Sequence, residues 1–228
     1  MLGARVDAAL NDAFVSAVRA APIRRLWDVG ANMGWYSWVF LSHVVDGQAV
    51  LLEPDPANLD LLRRTARRLG ARATILPLAA GDRTGSAPFV RDPLTGATGS
   101  LVLEEYFLAR HYGRREGTID VETTRLDDLL GRFEAPDLIK IDVEGAERLV
   151  FAGAPSLLDR QPVVVYETTA ANREHLAALL IGHGYLLFDA EGYGRREQTS
   201  PNVLAWPARL HDRTGELVAV WRSRRPAS

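Results

Sequence analysis

Asp28-Val-Gly-Ala-Asn-Met-Gly34 joins a predicted apolar strand, IRRLWDVG (23–30), to a predicted helix, WYSWVFLSHVV (35–45). Gly30 and Gly34 would let the backbone turn sharply and approach a ligand with no Cβ in the way, and the helix would direct its first N–H groups at that ligand. A dinucleotide-binding loop requires G-x-G-x-x-G, but Asn32 replaces its second glycine. The pattern therefore favours an amino-acid carboxylate and a sulfonium over a pyrophosphate. A tight turn that needs glycine only for packing is the alternative.

Apolar strands and amphipathic helices alternate along the chain on both sides of this loop. Their periodicity predicts further strands at 48–53, 71–80, 137–142 and 162–167, with helices as crossovers. The last two predicted strands, 184–190 and 202–208, can pair antiparallel at the edge of a mainly parallel sheet. We therefore predict an α/β fold with a Rossmann-like, doubly wound, seven-stranded sheet and helices on both faces.

The 228 residues fit one domain better than two. We predict a single domain over residues 1–228 that begins with an N-terminal helix within 1–22. Residues 86–125 interrupt the alternation, as expected of a lid or a substrate-binding wall. Residues 222–228 are expected to form a disordered tail.

The composition excludes several classes of protein. Absence of cysteine excludes disulfides, thiolate metal sites and a cysteine nucleophile. No apolar run has the ~18–20 residues of a membrane span, and the start lacks a signal-peptide pattern, so we expect a cytoplasmic protein with no membrane partner. A net charge of −2 argues against a nucleic-acid partner. The 27 basic residues comprise 26 arginines and one lysine, Lys140, which indicates a GC-rich, bacterial genome.

Acidic residues and a glycine follow the second and third predicted strands, where ligands bind in doubly wound sheets. Glu53 could accept hydrogen bonds from both hydroxyls of a ribose, in any nucleoside with free 2′ and 3′ hydroxyls. A backbone N–H of Ala80 or Gly81, with the Asp82 carboxylate, could bind an adenine edge. The alternatives are an exposed strand end and an ordinary Gly-Asp turn.

A charged stretch, Ile139-Lys-Ile-Asp-Val-Glu-Gly-Ala-Glu147, ends the fourth predicted strand. Lys140, Asp142 and Glu144 alternate with apolar residues, so a continuing strand would place them on one side. Charges within a central strand cost free energy unless they are paired or lie at its end. We expect Asp142 and Glu144 to emerge into a cleft with Lys140 beside them. A structural cluster that only fixes the loop is the alternative.

Six segments, in their order along the chain, resemble the FkbM family of S-adenosylmethionine-dependent methyltransferases. They are DVGANMGWYSW, LLEPDPANLDLL, LAAGDRTG, TTRLDDLL, LIKIDVEGAERLVFAGA and VVVYE, and the resemblance covers roughly residues 25–207. It implies a class I methyltransferase fold and methyl transfer to oxygen. The acceptor in such enzymes is commonly a hydroxyl of a sugar, a polyketide or another natural product.

The resemblance also implies roles for particular residues. The methionine end of the cofactor would lie against Asp28, Gly30, Asn32 and Gly34. Glu53 would bind its ribose, Ala80 and Asp82 its adenine, and Asp142 would lie near the methyl group. Family members often have paired serines where this chain has Gly99-Ser100-Leu101, which leaves the role of that segment open.

Transfer to an aliphatic hydroxyl needs an acceptor oxygen in line with the methyl group, at about 3–3.5 Å, and a general base or a metal ion. We predict Asp142 as the base, with Glu144 or Glu167 as second choices and His111 as a weaker one. Other O-methyltransferases of this fold bind a divalent cation through carboxylates that end the fourth and fifth strands. Asp142 and Glu167 occupy those places, so Mg²⁺ is a further hypothesis.

Three other functions remain open at the level of sequence. An NAD-linked oxidoreductase is disfavoured because G-x-G-x-x-G is missing. A non-catalytic nucleoside-binding protein would keep the same pocket. A methyltransferase acting on RNA or protein is disfavoured for RNA by the near-neutral charge and by the lack of an N-P-P-Y-type tetrapeptide. The expected partner is a small-molecule or glycan substrate, and the oligomeric state is open.

Overall fold

The computed structural model describes residues 8–68, 70–91, 99–101, 118–193 and 200–224. In these ranges the strands are β1 (Arg25–Val29), β2 (Gln48–Leu52), β3 (Ala73–Leu76), β4 (Ala79–Ala80), β5 (Gly85–Val90), β6 (Ser100–Leu101), β7 (Thr118–Thr124), β8 (Leu138–Ile141), β9 (Val163–Glu167), β10 (Leu186–Asp189) and β11 (Asn202–Trp206). The α-helices are α1 (Ala8–Ala20), α2 (Trp35–His43), α3 (Pro56–Ala66), α4 (Leu126–Leu129), α5 (Glu147–Ala152), α6 (Pro155–Leu158), α7 (Ala170–Gly182) and α8 (Thr214–Arg222).

Seven of the described strands form the central sheet, in the order β10-β11-β9-β8-β1-β2-β3. All neighbours are parallel except β11, which lies antiparallel between β9 and β10. The chain runs from β1 through β2 to β3 in one direction and from β8 to β9 in the other. The order therefore reverses between β1 and β8, and a crevice opens beyond their carboxyl ends. The predicted seven-stranded, doubly wound sheet is confirmed.

Helices cover both faces of the sheet because alternate strand residues point to opposite sides. Val163 and Val165 pack with one buried cluster, which includes residues of α1, α2, α3 and α8. Val164 and Tyr166 pack with the other, which includes residues of α4, α5, α6 and α7. The sheet thus positions its strand ends on a scaffold that is buried on both sides.

The described part of the chain also contains a second sheet, in the order β4-β7-β5-β6. The single predicted strand 71–80 is therefore wrong: β3 ends at Leu76, and β4 pairs with β7 instead. Pro77 follows β3 and has no N–H to donate to the ladder. Within the predicted lid 86–125, residues 92–98 and 102–117 lie outside the described ranges. The described residues of this segment pack against Ala146, beside the end of β8, through Phe89, Leu101 and Val121.

The two ends of the described chain lie together. Helix α8, which the sequence did not predict, packs along α1 and buries Trp221 against Phe188. Arg224 Nε donates to Asp12 Oδ1 at 2.8 Å. The predicted disordered tail is therefore wrong for residues 222–224, while residues 225–228 and 1–7 lie outside the described ranges. None of the helices described here is both long enough and apolar enough to cross a bilayer.

Candidate active site

A cleft of about 600 Å³, its open mouth included, lies between the ends of β1, β2 and β8 and the second sheet. Six predicted site residues line it: Gly30, Asn32, Glu53, Ala80, Asp142 and Glu144. Residues that are far apart in the sequence thus meet at the point where the strand order reverses.

The glycine loop touches the turn that follows β8. Gly30 has a φ of +71°, and a Cβ there would lie 1.9 Å from the backbone oxygen of Asp142. Gly34 has a φ of +83°, and a Cβ there would overlap the indole of Trp38. Gly34 shapes the loop but does not line the cleft. Glycine is therefore required at position 30 both for the backbone angle and for the close approach of the two loops.

Asp28 lies behind the glycine loop and does not line the cleft. Its side chain is completely buried, and its Oδ2 accepts hydrogen bonds from the N–H and hydroxyl of Ser37 at 3.2 and 2.7 Å. Burial raises the pKa of Asp28, while the Lys140 charge and the Ser37 hydrogen bonds oppose that rise. The structure therefore gives Asp28 a place in holding the start of α2, and its contact with the cofactor stays a prediction.

Lys140 links three of the predicted site residues. Its Nζ donates to the Gly30 oxygen at 3.0 Å and lies 3.2 Å from Asp142 Oδ2 and 3.8 Å from Asp28 Oδ1. It also lies 5.1 Å from the centroid of the Tyr36 ring, a favourable cation–π distance. Burial alone would lower the pKa of Lys140, but the two carboxylates outweigh it and the pKa is raised. The buried ammonium therefore stays charged and ties the glycine loop to the end of β8.

Glu53 directly follows β2, and both of its carboxylate oxygens accept hydrogen bonds. Oε2 accepts from the Asn32 N–H at 2.8 Å, and Oε1 accepts from the Asp55 N–H at 2.8 Å and from Asn58 Nδ2 at 3.4 Å. Burial raises the pKa of Glu53, against those hydrogen bonds. A carboxylate offers about four acceptor sites, so capacity remains for a ligand hydroxyl.

The chain turns directly after β8, so the predicted strand 137–142 ends one residue earlier than expected and does not continue through Glu144. Strand β8 ends at Ile141, and Glu144 and Gly145 have φ values of +51° and +98°, which interrupt an extended strand. Asp142 and Glu144 nevertheless both line the cleft, as predicted, with Lys140 beside Asp142.

The predicted adenine-binding residues lie at the end of β4 and directly after it, and only one of them lines the cleft. Ala80 lines the cleft, whereas the Gly81 N–H donates to the Thr124 oxygen at 2.9 Å as part of the second sheet. Asp82 is exposed on the bend that follows and does not line the cleft. Pairing of β4 with β7 directs the backbone at 81–82 away from the cleft, so an adenine contact by Asp82 stays a prediction that this geometry does not support.

Comparison with known proteins identifies the family. The protein-family model described as "Methyltransferase FkbM domain" matches residues 28–193, which is most of the chain. The chain belongs to the FkbM methyltransferase family. Within it, the chain is 29% identical over 147 residues to the hexuronic acid methyltransferase AglP of Haloferax volcanii, covering 64% of this chain and 56% of that protein. It is 32% identical over 151 residues to the 2-O-methyltransferase NoeI of Sinorhizobium fredii, covering 61% of each.

The matched region thus spans less than two thirds of the length of both relatives. Among solved structures, a precorrin-6y C5,15-methyltransferase from Geobacter metallireducens is similar with a TM-score of 0.50 and 16% identity, over 87% of each chain. At that identity the likeness shows the fold alone, which is the class I methyltransferase fold expected of an FkbM protein.

Two further predicted residues of this FkbM chain, Glu167 and His111, are not among the described residues that line the cleft. Glu167 ends β9 outside the cleft lining, although its charge acts on Glu144. His111 lies outside the described residues. Within the described ranges, no three aspartate, glutamate or histidine side chains come together in one cluster. The Mg²⁺ hypothesis stays a prediction.

Some cleft residues were missed at the level of sequence. Phe89 and Leu101, from the second sheet, give the cleft an apolar wall, and the sequence indicated only that the segment 86–125 could form one. Asn58, in the first turn of α3, reaches Glu53. Its place after the Asp55 N-cap could have indicated this, because the start of α3 follows directly from the end of β2.

Proposed function

We propose that this chain is an S-adenosylmethionine-dependent O-methyltransferase that acts on a hydroxyl of a sugar or of another small natural product. The observation that carries the proposal is the meeting of the glycine loop, Glu53 and the Asp142–Glu144 turn in one cleft. Family membership implies S-adenosylmethionine as the methyl donor.

The cleft has the chemistry that this cofactor requires. Gly30 and Asn32, at the loop, would hold its amino-acid end, where the absence of a Cβ at Gly30 leaves the backbone accessible. Glu53 would accept hydrogen bonds from the ribose hydroxyls. Ala80 and Phe89 offer an apolar surface for adenine. When bound, the sulfonium supplies an activated methyl group, so the main task of the protein is to position the acceptor.

One relative supports a carbohydrate acceptor, and the other supports methyl transfer to oxygen. One is named as acting on a hexuronic acid and the other as a 2-O-methyltransferase. Asp142 and Glu144 would face a hydroxyl that lies next to the methyl group, and a carboxylate is the kind of group that can take a hydroxyl proton. A net charge of −2 is also unfavourable for an RNA acceptor.

The reaction is tested with S-adenosylmethionine carrying a deuterated methyl group and a panel of acceptors. The panel contains hexuronic acids, neutral hexoses, short oligosaccharides and amines, and mass spectrometry detects the labelled product. We expect label on a sugar hydroxyl, in reactions run in parallel with EDTA and with added Mg²⁺ to test the Mg²⁺ hypothesis. Label on amines alone, or on no acceptor despite bound cofactor, would contradict the proposal.

Glu53→Ala is expected to weaken binding of S-adenosylhomocysteine by about 10- to 100-fold. The reason is that hydrogen bonds to a charged group contribute roughly 1.5–3 kcal/mol, and the ribose would lose its carboxylate partner. Isothermal titration calorimetry measures the affinity. Glu174→Ala, on the exposed side of α7, is the control and should bind as the wild type does.

Because Glu53 also accepts the Asn32 N–H, thermal unfolding of both variants must show that the fold is intact. A folded Glu53→Ala protein with wild-type affinity would exclude Glu53 as the ribose ligand.

A further inference from the structure

Two carboxylates from the same turn line the cleft in very different surroundings. Asp142 is paired with the buried Lys140, at 3.2 Å. Within the described residues, no hydrogen bond or ion pair reaches the carboxyl of Glu144, which is partly buried at the cleft wall. One carboxylate is thus paired within the protein, while the other lines the cleft without such a partner among the described residues.

We propose that Glu144, and not Asp142, takes the proton of the acceptor hydroxyl, while Asp142 positions the turn through Lys140. This inference rests on the proposed function, because it requires a hydroxyl acceptor in this cleft. It reverses the order of preference that the sequence alone supported.

The backbone at Glu144 is held in an uncommon conformation. Its φ of +51° is in the left-handed region, which disfavours residues other than glycine. Ser100 Oγ, from β6, donates to the backbone carbonyl oxygen of Glu144 at 2.9 Å. Such strain persists only where the surroundings enforce it, and it is concentrated at functional sites.

The residue after Glu144 is held from two helices. Glu147 Oε1, at the start of α5, accepts the Gly145 N–H at 2.8 Å. Asn172 Nδ2, from α7, donates to the Gly145 oxygen at 3.1 Å and to Glu147 Oε2 at 3.0 Å. Together with Ser100, these contacts fix the turn from three separate elements, so the Glu144 side chain leaves a rigid backbone.

The charges around Glu144 prepare it for proton transfer at neutral pH. Burial and the nearby carboxylates of Asp142, Glu167 and Glu147 raise the pKa of Glu144 to about 8, while Lys140 acts in the opposite direction. These groups face it from its own turn, from β9, from α5 and from β8. A general base is most effective when its pKa lies near the working pH.

Asp142 is less suited to the same task. A proton on Asp142 would remove the charge opposite Lys140 and leave a buried ammonium with one fewer anionic partner, which is costly. Glu144 can gain and lose a proton without breaking an ion pair seen in the structure.

The proposed methyl transfer needs no reactant other than the acceptor and the cofactor. The O–H bond of the acceptor breaks and its proton passes to a carboxylate oxygen of Glu144. The acceptor oxygen forms a bond to the methyl carbon as the bond between that carbon and sulfur breaks. The electron pair of the broken bond stays on sulfur, which becomes a neutral thioether. Glu144 then releases the proton to water, because its side chain is partly exposed.

The decisive variant is Glu144→Gln, which keeps the size of the side chain and removes its proton-accepting group. We expect kcat to fall at least about 100-fold, the usual effect of losing a general base, with S-adenosylhomocysteine affinity within about threefold of wild type. Wild-type kcat should rise with pH to a plateau above an inflection near 8, and this inflection should be absent from Glu144→Gln. Glu174→Gln, exposed on α7, is the matched control and should keep both kcat and the inflection.

A second measurement needs no acceptor. Because the folded state holds the Glu144 proton to a higher pH than the unfolded state, the folded-to-unfolded ratio should fall by up to tenfold per pH unit between about pH 4.5 and 8. Glu144→Gln removes this component. The stability of Glu144→Gln relative to wild type should therefore increase over that window and level off above it, as measured by urea unfolding.

The outcomes separate the two proposals. If Glu144→Gln keeps more than half of the wild-type kcat, or keeps the inflection, Glu144 is not the proton acceptor, although the enzyme is still an O-methyltransferase. If Asp142→Asn loses the inflection and Glu144→Gln does not, Asp142 has that role. If the wild-type protein binds S-adenosylhomocysteine but methylates no hydroxyl, the proposed function and this inference both fail.

Discussion

Gly30→Ala is expected to abolish measurable binding of S-adenosylhomocysteine and to lower the free energy of unfolding by about 3 kcal/mol or more. The added Cβ would lie 1.9 Å from the Asp142 oxygen and 3.0 Å from the Asp142 carbonyl carbon, and backbone atoms cannot rotate away as a side chain does. The φ of +71° adds strain for any residue with a Cβ. Forcing the two loops apart would open the cleft at the point where β1 and β8 meet, so stability and binding should be lost together.

Gly70→Ala is the matched control for this variant. Gly70 has a similar φ, +62°, but a Cβ there would meet no described atom within 4 Å apart from its chain neighbours, so the change tests backbone strain alone and should cost only about 1–2 kcal/mol. Urea unfolding and calorimetry measure the two effects. If Gly30→Ala loses no more stability than Gly70→Ala and binds the product normally, the contact between the loops does not shape the site.

Lys140→Met is expected to destabilise the fold by about 3–5 kcal/mol, because it removes the cation from a buried ionic group. Asp28 is completely buried, and its Oδ1 has no hydrogen-bond partner in the described structure. The pKa of Asp28 is already raised by burial, and loss of Lys140 should raise it further. The variant should therefore be least impaired at low pH, where Asp28 is protonated, and should lose stability as the pH rises.

Lys140→Met should also reduce kcat, since Asp142 and Gly30 lose the group that joins them. Combining it with Asp28→Asn removes the unpaired charge and should recover part of the lost stability but not the activity. Chemical unfolding at pH 5 and pH 8 compares the single and double variants. Equal stability of Lys140→Met and wild type at both pH values would show that the buried ion pairs do not hold this site together.

Features that depend on local sequence could be predicted well. The start of α3 is an example: Asp55 caps it by accepting the Ala57 N–H at 2.8 Å, and Pro56 is its first residue. Glu53 and Gly30 were also placed in the cleft correctly, because a strand end followed by a turn carries its own signal and the order of strands brings such ends together.

Features that depend on distant pairing could not be predicted. The division of the predicted strand 71–80 follows from pairing of β4 with β7, about forty residues away. That pairing also turns Asp82 away from the cleft. The left-handed turn at Glu144 is held by Ser100 of β6 and Asn172 of α7, which are distant in sequence. No pattern local to residues 142–146 contains these contacts.

The surroundings of Asp28 also depend on residues that its local sequence does not indicate. Its position before the glycine loop made it a predicted ligand contact, and the structure surrounds it with the hydroxyl and N–H of Ser37 and the ammonium of Lys140. A short acidic residue at the end of a central strand can point to either side of the loop. Only the packing of α2 on the sheet decides between them, and the structure places Asp28 within that packing.

A crystal structure with S-adenosylhomocysteine tests the central claim most directly. The account predicts the ribose hydroxyls within hydrogen-bonding distance of Glu53, adenine beside Ala80 and Phe89, and the sulfur facing the turn that carries Asp142 and Glu144. Product bound outside this cleft, or bound with its ribose away from Glu53, would contradict it.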